Sequence, residues 1–258
     1  MNVNPATGRR AELVELYRRL SQGHACPLAS SRTRLVFGSG NANAEVMFVG
    51  EAPGSEEDRQ GKPFVGRAGR LLDALLEEIG LQREDTFVAN VLKCRPPGNR
   101  DPLPEEIEEC SPWLFRQIEL IEPLVICTLG NFATKLLTGS KAGITKVHGT
   151  PQTHELGGRS VQLYPIFHPA AALRTEAVRE LLRIDFAKLP ALLEDARANA
   201  QAQGAEDPSA APELGPGLPK PRSLLDEPAG ADTRAPAGGV EAEPAPPLGE
   251  RSQLDLFG

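Results

Sequence analysis

The sequence predicts an α/β domain whose parallel sheet is covered by helices on both faces. Two observations carry that reading. Short apolar runs alternate along the chain with stretches of helical periodicity. The run at 124–129 is apolar but for Thr128, as a strand buried on both faces should be.

The elements follow in order. Residues 11–20 put Leu13, Leu16, Tyr17 and Leu20 on one helical stripe. Residues 44–50 (AEVMFVG) read as a buried strand ending in glycine. Over 69–79, Leu71, Leu72, Leu75, Leu76 and Ile79 share one helix face. A second strand spans 86–92, and a helix over 104–121 opens with Pro104 in its first turn. The third strand is 124–129, a helix covers 131–137, the fourth strand is 161–167, and 175–198 is the closing helix. In parallel α/β sheets, ligands gather at the C-terminal ends of the strands. The loops after Gly50, Leu92, Gly130 and Phe167 should therefore meet at one cleft.

The chain has 258 residues and a net charge of −7. That acidity is uneven, because residues 201–258 hold 10 acidic and only 4 basic side chains. The same stretch contains 10 Pro and 8 Gly, with Phe257 its only aromatic residue. Such a segment buries too little apolar surface to offset its ordering entropy. The expected organisation is a near-neutral folded domain at 1–198, a disordered acidic linker at 199–252 and a terminal peptide at 253–258. No apolar run approaches the ~18 residues of a membrane span, and residues 1–10 lack the core of a signal peptide. Four cysteines in this length do not make a disulfide scaffold, which points to a reducing cytoplasm. Near-neutral charge argues against indiscriminate polyanion binding and leaves room for a local basic patch. Arg32, Arg34, Lys62, Arg67, Arg70, Arg95 and Arg100 are its candidates, though each alone suits a solvated surface equally well.

Three loops carry the chemistry. The first runs from Gly50-Glu51-Ala52-Pro53-Gly54 to Gly61-Lys62-Pro63-Phe64-Val65-Gly66. Its composition fits a flexible surface connection, yet Phe64 has no helix or strand face to join. An aromatic beside glycines that admit close approach suits stacking on a planar ring. The second loop follows Asn90, which is either an amide satisfied by backbone or one that addresses the edge of a base. The last loop begins His168-Pro169, where the imidazole is either packed or catalytic at a strand end.

GEAPGSEEDRQGKPFVGRAGRLL, NVLKCRPPGNRDPLPEEIEEC and FHPAAALR resemble, in order, the motifs of the family 4 uracil-DNA glycosylases of bacteria and archaea. The resemblance runs from about Cys26 to Arg174. It implies a three-layer α/β/α sandwich around a central four-stranded parallel sheet. It also implies a monofunctional enzyme that cuts the N-glycosidic bond of deoxyuridine in DNA at the start of base-excision repair. A glycosylase draws its base out of the helix into a reading pocket. In that pocket Phe64 would stack on uracil and Asn90 would pair with its O4/N3 edge, against the backbone at Gly50. His168 would hydrogen-bond O2 and steady the charge that develops on the leaving base. Ala52 stands where the best-known glycosylases carry an aspartate, so Glu51 and the backbone around Gly50–Ala52 remain to hold the attacking water. Glu51 suits equally a carboxylate that orders the loop. Leu173 would wedge into the gap left by the flipped nucleotide with Arg174 on phosphate, or Leu173 would pack beneath the following helix.

The resemblance further implies a structural [4Fe–4S] cluster on four cysteines. Cys94 and Cys110 keep the spacing of one ligand pair, and Cys26 matches the second member of the other. Gly23 occupies the usual first position, where adjacent His24 is a candidate fourth ligand. Cys127, inside an apolar strand, reads as a buried thiol. His148 stands where relatives often have arginine. The sequence closes with QLDLFG, in which QLDLF looks like the peptide that docks bacterial repair proteins on the DNA polymerase sliding clamp, with Gln253, Leu254, Leu256 and Phe257 as contacts. The whole reads as a monomer acting on uracil-containing DNA. Two other readings compete. A non-catalytic or covalent uracil-DNA binder on the same scaffold would carry a basic loop ending in histidine, absent from the stretch 95–100. A phosphate hydrolase would need a G-x-x-x-x-G-K-[ST] loop, also absent.

Overall fold

The computed structural model describes residues 5–23 and 26–206. His24 and residues 207–258, with Gln253, Leu254, Leu256 and Phe257 among them, lie outside the described residues, whereas residues 199–206, expected to begin the disordered linker, are helical and continue the closing helix. The chain begins with α1 (Pro5–Gly23), β1 (Ser39–Gly40), β2 (Val46–Gly50), α2 (Ser55–Gln60), α3 (Arg67–Glu78) and β3 (Phe87–Asn90). It continues through α4 (Pro104–Ile121), β4 (Val125–Leu129), α5 (Asn131–Thr138) and α6 (Ile144–Val147). It closes with β5 (Gln152–Leu156), β6 (Arg159–Ile166), α7 (Pro169–Ala172) and α8 (Glu176–Glu206).

The six strands lie in the order β1-β3-β2-β4-β6-β5. β3, β2, β4 and β6 pair in parallel and are the four strands expected from sequence. The expected count of four is corrected to six, because β1 and β5 add an antiparallel strand at each edge. β5 (QTHEL) alternates half-buried and exposed residues and offers little apolar signal.

Every residue of β2, β3 and β4 is buried. Successive side chains of a strand point to opposite faces, and two apolar layers result. Met47, Val49, Phe87, Ala89 and Ile126 pack with α1 and α4 through Leu13, Leu20, Leu114 and Ile118. Val46, Phe48, Val88, Val125 and Cys127 pack with α3 and α8 through Leu72, Leu76, Phe186 and Leu189. Phe48 and Phe186 stack across that second layer, with ring centroids 5.9 Å apart. The chain is thus a three-layer α/β/α sandwich, and the C-terminal ends of its parallel strands open at one edge.

Candidate active site

A cavity of about 420 Å³ opens at that edge. Glu51 and Ala52 line it behind β2, Asn90 at the end of β3, and His168 behind β6, with Phe64 on its wall and exposed Arg174 beside them. Three of the four expected loops converge here. The fourth differs, since Gly130 after β4 does not line the cavity but packs behind it, 3.1 Å from the His168 Cβ were a Cβ added.

Phe64 is buried, and its φ of 53° lies in the left-handed region that bulky side chains rarely occupy. Such a conformation persists only where its surroundings hold it. Glu57 accepts from the backbone N–H of Val65 (2.9 Å) and of Gly66 (2.8 Å). Arg83 donates to the carbonyls of Pro63 (2.7 Å) and Phe64 (3.3 Å). Gly69 in α3 lies so close that any Cβ there would run into the Phe64 carbonyl. So fixed, the Phe64 ring sits 5.5 Å from the His168 imidazole, with the planes inclined by 29°.

Asn90 is 2 % exposed, and its Oδ1 has no hydrogen-bond partner among the described residues. A buried acceptor left unmet costs about 1–3 kcal/mol, so this atom is out of place in a merely structural amide. Its backbone carbonyl is held by Lys93 Nζ at 2.8 Å. Gly50 makes the meeting of Asn90 and Phe64 possible, because a Cβ at 50 would lie 2.6 Å from Phe64 Cζ and closer still to Asn90 Oδ1.

His168 caps α7, and its Nδ1 accepts from the Ala170 N–H at 3.1 Å. An Nδ1 that accepts must be unprotonated, so the neutral ring carries its proton on Nε2. Burial pulls its pKa down to about 4. At neutral pH the group is an uncharged donor.

Glu51 shows the opposite shift. Burial first, and the nearby Asp101 carboxylate second, push its pKa up to about 7. Asp101 lines the same cavity from the second loop. Leu173 is half-buried and does not line the cavity, whereas Arg174 does. Of the candidate basic patch, Arg32 and Arg100 direct their guanidinium groups within the chain. Arg32 donates to Cys94 Sγ at 3.0 Å, and Arg100 grips Glu106 through two bonds of 2.9 and 2.5 Å. His148 is bonded to buried Asp185 at 2.7 Å and packs on Phe167, away from the cavity. Glu57, Arg83 and Asp101 are contributors that the sequence reading missed. Their signal is tertiary, since each is one more charge in a charged stretch.

The cysteines divide between the two faces of the sheet. Cys127 lies in the α3/α8 layer as a buried thiol, as expected. Cys26, Cys94 and Cys110 lie together in the other layer, and Cys26 hydrogen-bonds to both partners. Those bonds, and then burial, hold the Cys94 and Cys110 thiols well above the usual range, while Arg32 opposes the shift at Cys94. Beside them Lys93 is fully buried, and among the described residues its Nζ donates to two neutral acceptors, Asn90 O and Gln117 Oε1 (2.6 Å). A buried ammonium is costly without a counter-charge. An anionic iron–sulfur cluster on these thiolates would supply one, so the donor set fits three corners of it. Gly23 brings no ligand, His24 lies outside the described residues, and the described residues contain no group of His, Cys, Asp and Glu arranged around a single ion.

Residues 37–189 match the sequence model of the uracil DNA glycosylase superfamily. The type-4 uracil-DNA glycosylase of Archaeoglobus fulgidus is 45 % identical over 181 residues, 69 % of this chain and 91 % of the relative. That of Thermotoga maritima is 50 % identical over 177 residues, 68 % and 90 % of the two chains. That of Saccharolobus solfataricus is 49 % identical over 169 residues, 64 % and 78 %.

Proposed function

The chain belongs to the uracil DNA glycosylase superfamily, among its type-4 members, and from that premise we propose that it hydrolyses the N-glycosidic bond of deoxyuridine in DNA. Free uracil and an abasic site are the products, the first step of base-excision repair. One observation carries the reading of the pocket. The unpartnered Asn90 Oδ1 faces the same cavity as a buried aromatic ring and an imidazole whose proton is on Nε2. Uracil presents N3–H beside O4, so one carboxamide accepts from the first and donates to the second. A cytosine edge offers the reversed pattern, which the amide in this orientation does not match.

The base enters the cavity by leaving the stack, at a cost of a few kcal/mol. Phe64 takes its face and Asn90 its edge. As the C1′–N1 bond breaks, negative charge grows on uracil O2, and the Nε2–H of His168 donates to it. The ring is already neutral and oriented, so no proton moves and little reorganisation is needed. Uracil departs as an anion. Glu51, beside the backbone at Ala52, holds the attacking water, and its ionised form accepts the water's proton. Arg174 meets a phosphate flanking the extruded nucleotide, and Leu173 fills the space it leaves. Cys26, Cys94 and Cys110 would hold a [4Fe–4S] cluster that braces the loops and takes no part in hydrolysis. Outside the described residues, the terminal QLDLF would tether the domain to the sliding clamp, which titration of a labelled 249–258 peptide against the clamp tests directly.

The deciding measurement is release of free uracil from single- and double-stranded oligonucleotides with one deoxyuridine. Release from these, and none from thymine- or cytosine-containing controls, is the expected result. Tight binding to uracil-containing DNA without release would replace the enzyme with the binding protein.

A further inference from the structure

Arg83 stands outside the cavity and outside every motif that identifies the family, in the 3₁₀ turn Arg83–Asp85 that leads into β3. Its guanidinium nevertheless reaches back to the stacking loop. Nη2 donates to Pro63 O at 2.7 Å, and Nη1 donates to Phe64 O at 3.3 Å. Nη1 also meets Asp73 Oδ1 at 2.7 Å, and Asp73 belongs to α3, the helix on which the loop rests. A planar fork that joins two successive carbonyls to a carboxylate fixes both the position and the tilt of that peptide. The two carbonyls flank the residue at φ 53°, the one non-glycine of the loop held in the left-handed region. On the other side of Phe64, Glu57 takes the next two N–H groups. The backbone carbonyls before and at the ring are thus secured by Arg83, and the amides after it by Glu57.

We propose that Arg83, held by Asp73, is a positioning residue that sets the Phe64 ring at the angle from which it stacks on the base. This inference rests on the glycosylase reading. The guanidinium acts through Phe64 alone. It touches neither the base nor the water, and its chemistry is not replaced by lysine, whose single ammonium lacks the fork.

Three variants test it: Arg83→Gln, Arg83→Lys and Asp73→Asn, each compared with wild type and with Phe64→Ala. Arg83→Gln should lower kcat/KM for uracil release about 10- to 100-fold, the range expected when a substrate-contacting group moves by up to about 1 Å. It should raise the inhibition constant of free uracil by a similar factor, a readout of the pocket that involves no cleavage. Affinity for uracil-free DNA of the same length should not change. Arg83→Lys should fall between wild type and Arg83→Gln, and Asp73→Asn should be milder than either. Adding Arg83→Gln to Phe64→Ala should cost less than 2-fold further, because residues acting through one another are not additive. Losses that multiply would overturn the proposal, as would an unchanged uracil inhibition constant in Arg83→Gln. If Arg83→Gln melts far below wild type, the comparison within the Phe64→Ala background at a temperature where both are folded decides it in the same way. Wild-type protein that releases no uracil would overturn the glycosylase reading together with this inference, whereas normal release by Arg83→Gln overturns this inference alone.

Discussion

Replacing Gly50 with alanine adds one methyl group at the point where the Phe64 and Asn90 side chains meet. Gly50 ends strand β2 and is not among the residues with positive φ, so its backbone accommodates any side chain. Only space is lacking. The added Cβ would lie 2.6 Å from Phe64 Cζ and 2.8 Å from Phe64 Cε2, with Asn90 Oδ1 nearer still. Ordinary carbon–carbon contact is about 3.5–4.0 Å, so the Phe64 ring must retreat by roughly 1 Å. The atoms in the way are side-chain ends that can move, which limits the loss of folding stability to roughly the 1–3 kcal/mol of an overpacked site. The effect on catalysis is larger in proportion. A 1 Å misplacement of a positioned group costs on the order of 10²-fold, and Phe64 and Asn90 move together. Single-turnover uracil release from a duplex with one deoxyuridine should fall at least about 100-fold, equivalent to roughly 2.7 kcal/mol in the barrier. Circular dichroism should show the variant folded at the assay temperature. Release within threefold of wild type would refute the reasoning, because it would mean that the ring and the carboxamide need not hold their places around the base.

The remaining predictions concern His168, Glu51 and the cysteines. His168→Ala should lower the cleavage rate by about 10²–10³, while fluorescence anisotropy shows little change in affinity for uracil-containing DNA. With its pKa near 4, the His168 imidazole should contribute no limb to the rate profile between pH 5 and 9. Glu51, at about 7 in the folded chain against 4.5 for an ordinary glutamate, binds a proton more tightly when folded. Its contribution to stability is therefore greatest below pH 4.5 and is lost as pH rises to about 7. Cleavage should rise over that upper interval as the carboxylate ionises, and Glu51→Gln should remove both trends, read by calorimetry and by initial rates. Protein purified without oxygen should contain iron and sulfide with visible absorption, and Cys94→Ala should lose that absorption and melt at lower temperature.

What the sequence exposed and what it concealed divide along physical lines. The four parallel strands were legible because β2 and β4 are buried at every position and apolar at all but Thr128, a consequence of burial on both faces. β5 was not, because an edge strand with one solvent-facing side carries polar residues such as Gln152, Thr153, His154 and Glu155. Helix α2 was equally hidden. SEEDRQ has no apolar stripe, and the helix is anchored instead by buried Asp58, which accepts from the N–H groups of Thr33 (2.8 Å) and Arg34 (3.3 Å). Acidic residues in its first turn suit the positive end of the helix dipole. Neither a long-range bond nor a dipole leaves a periodic trace.

The site obeys the same division. Phe64, Asn90 and His168 could be named from motifs, and the structure brings them to one cavity. Their chemical states could not be named, because each is set by a residue far away or by the backbone. The His168 tautomer depends on the Ala170 amide, and the proton affinity of Glu51 on its burial first and then on Asp101, fifty positions along the chain. The φ of Phe64 depends on Arg83 and Glu57, from two separate elements. This distribution has a consequence for how the pocket fails. A strained aromatic held from both sides gives way when either side is released, whereas an amide at the end of the buried strand β3, paired there with β2, does not. Damage to supporting residues should therefore appear first as weakened stacking, with the edge-reading of Asn90 intact. In variants at 57 or 83, discrimination between uracil and cytosine should then survive a loss of rate that Asn90→Ala would not leave selective.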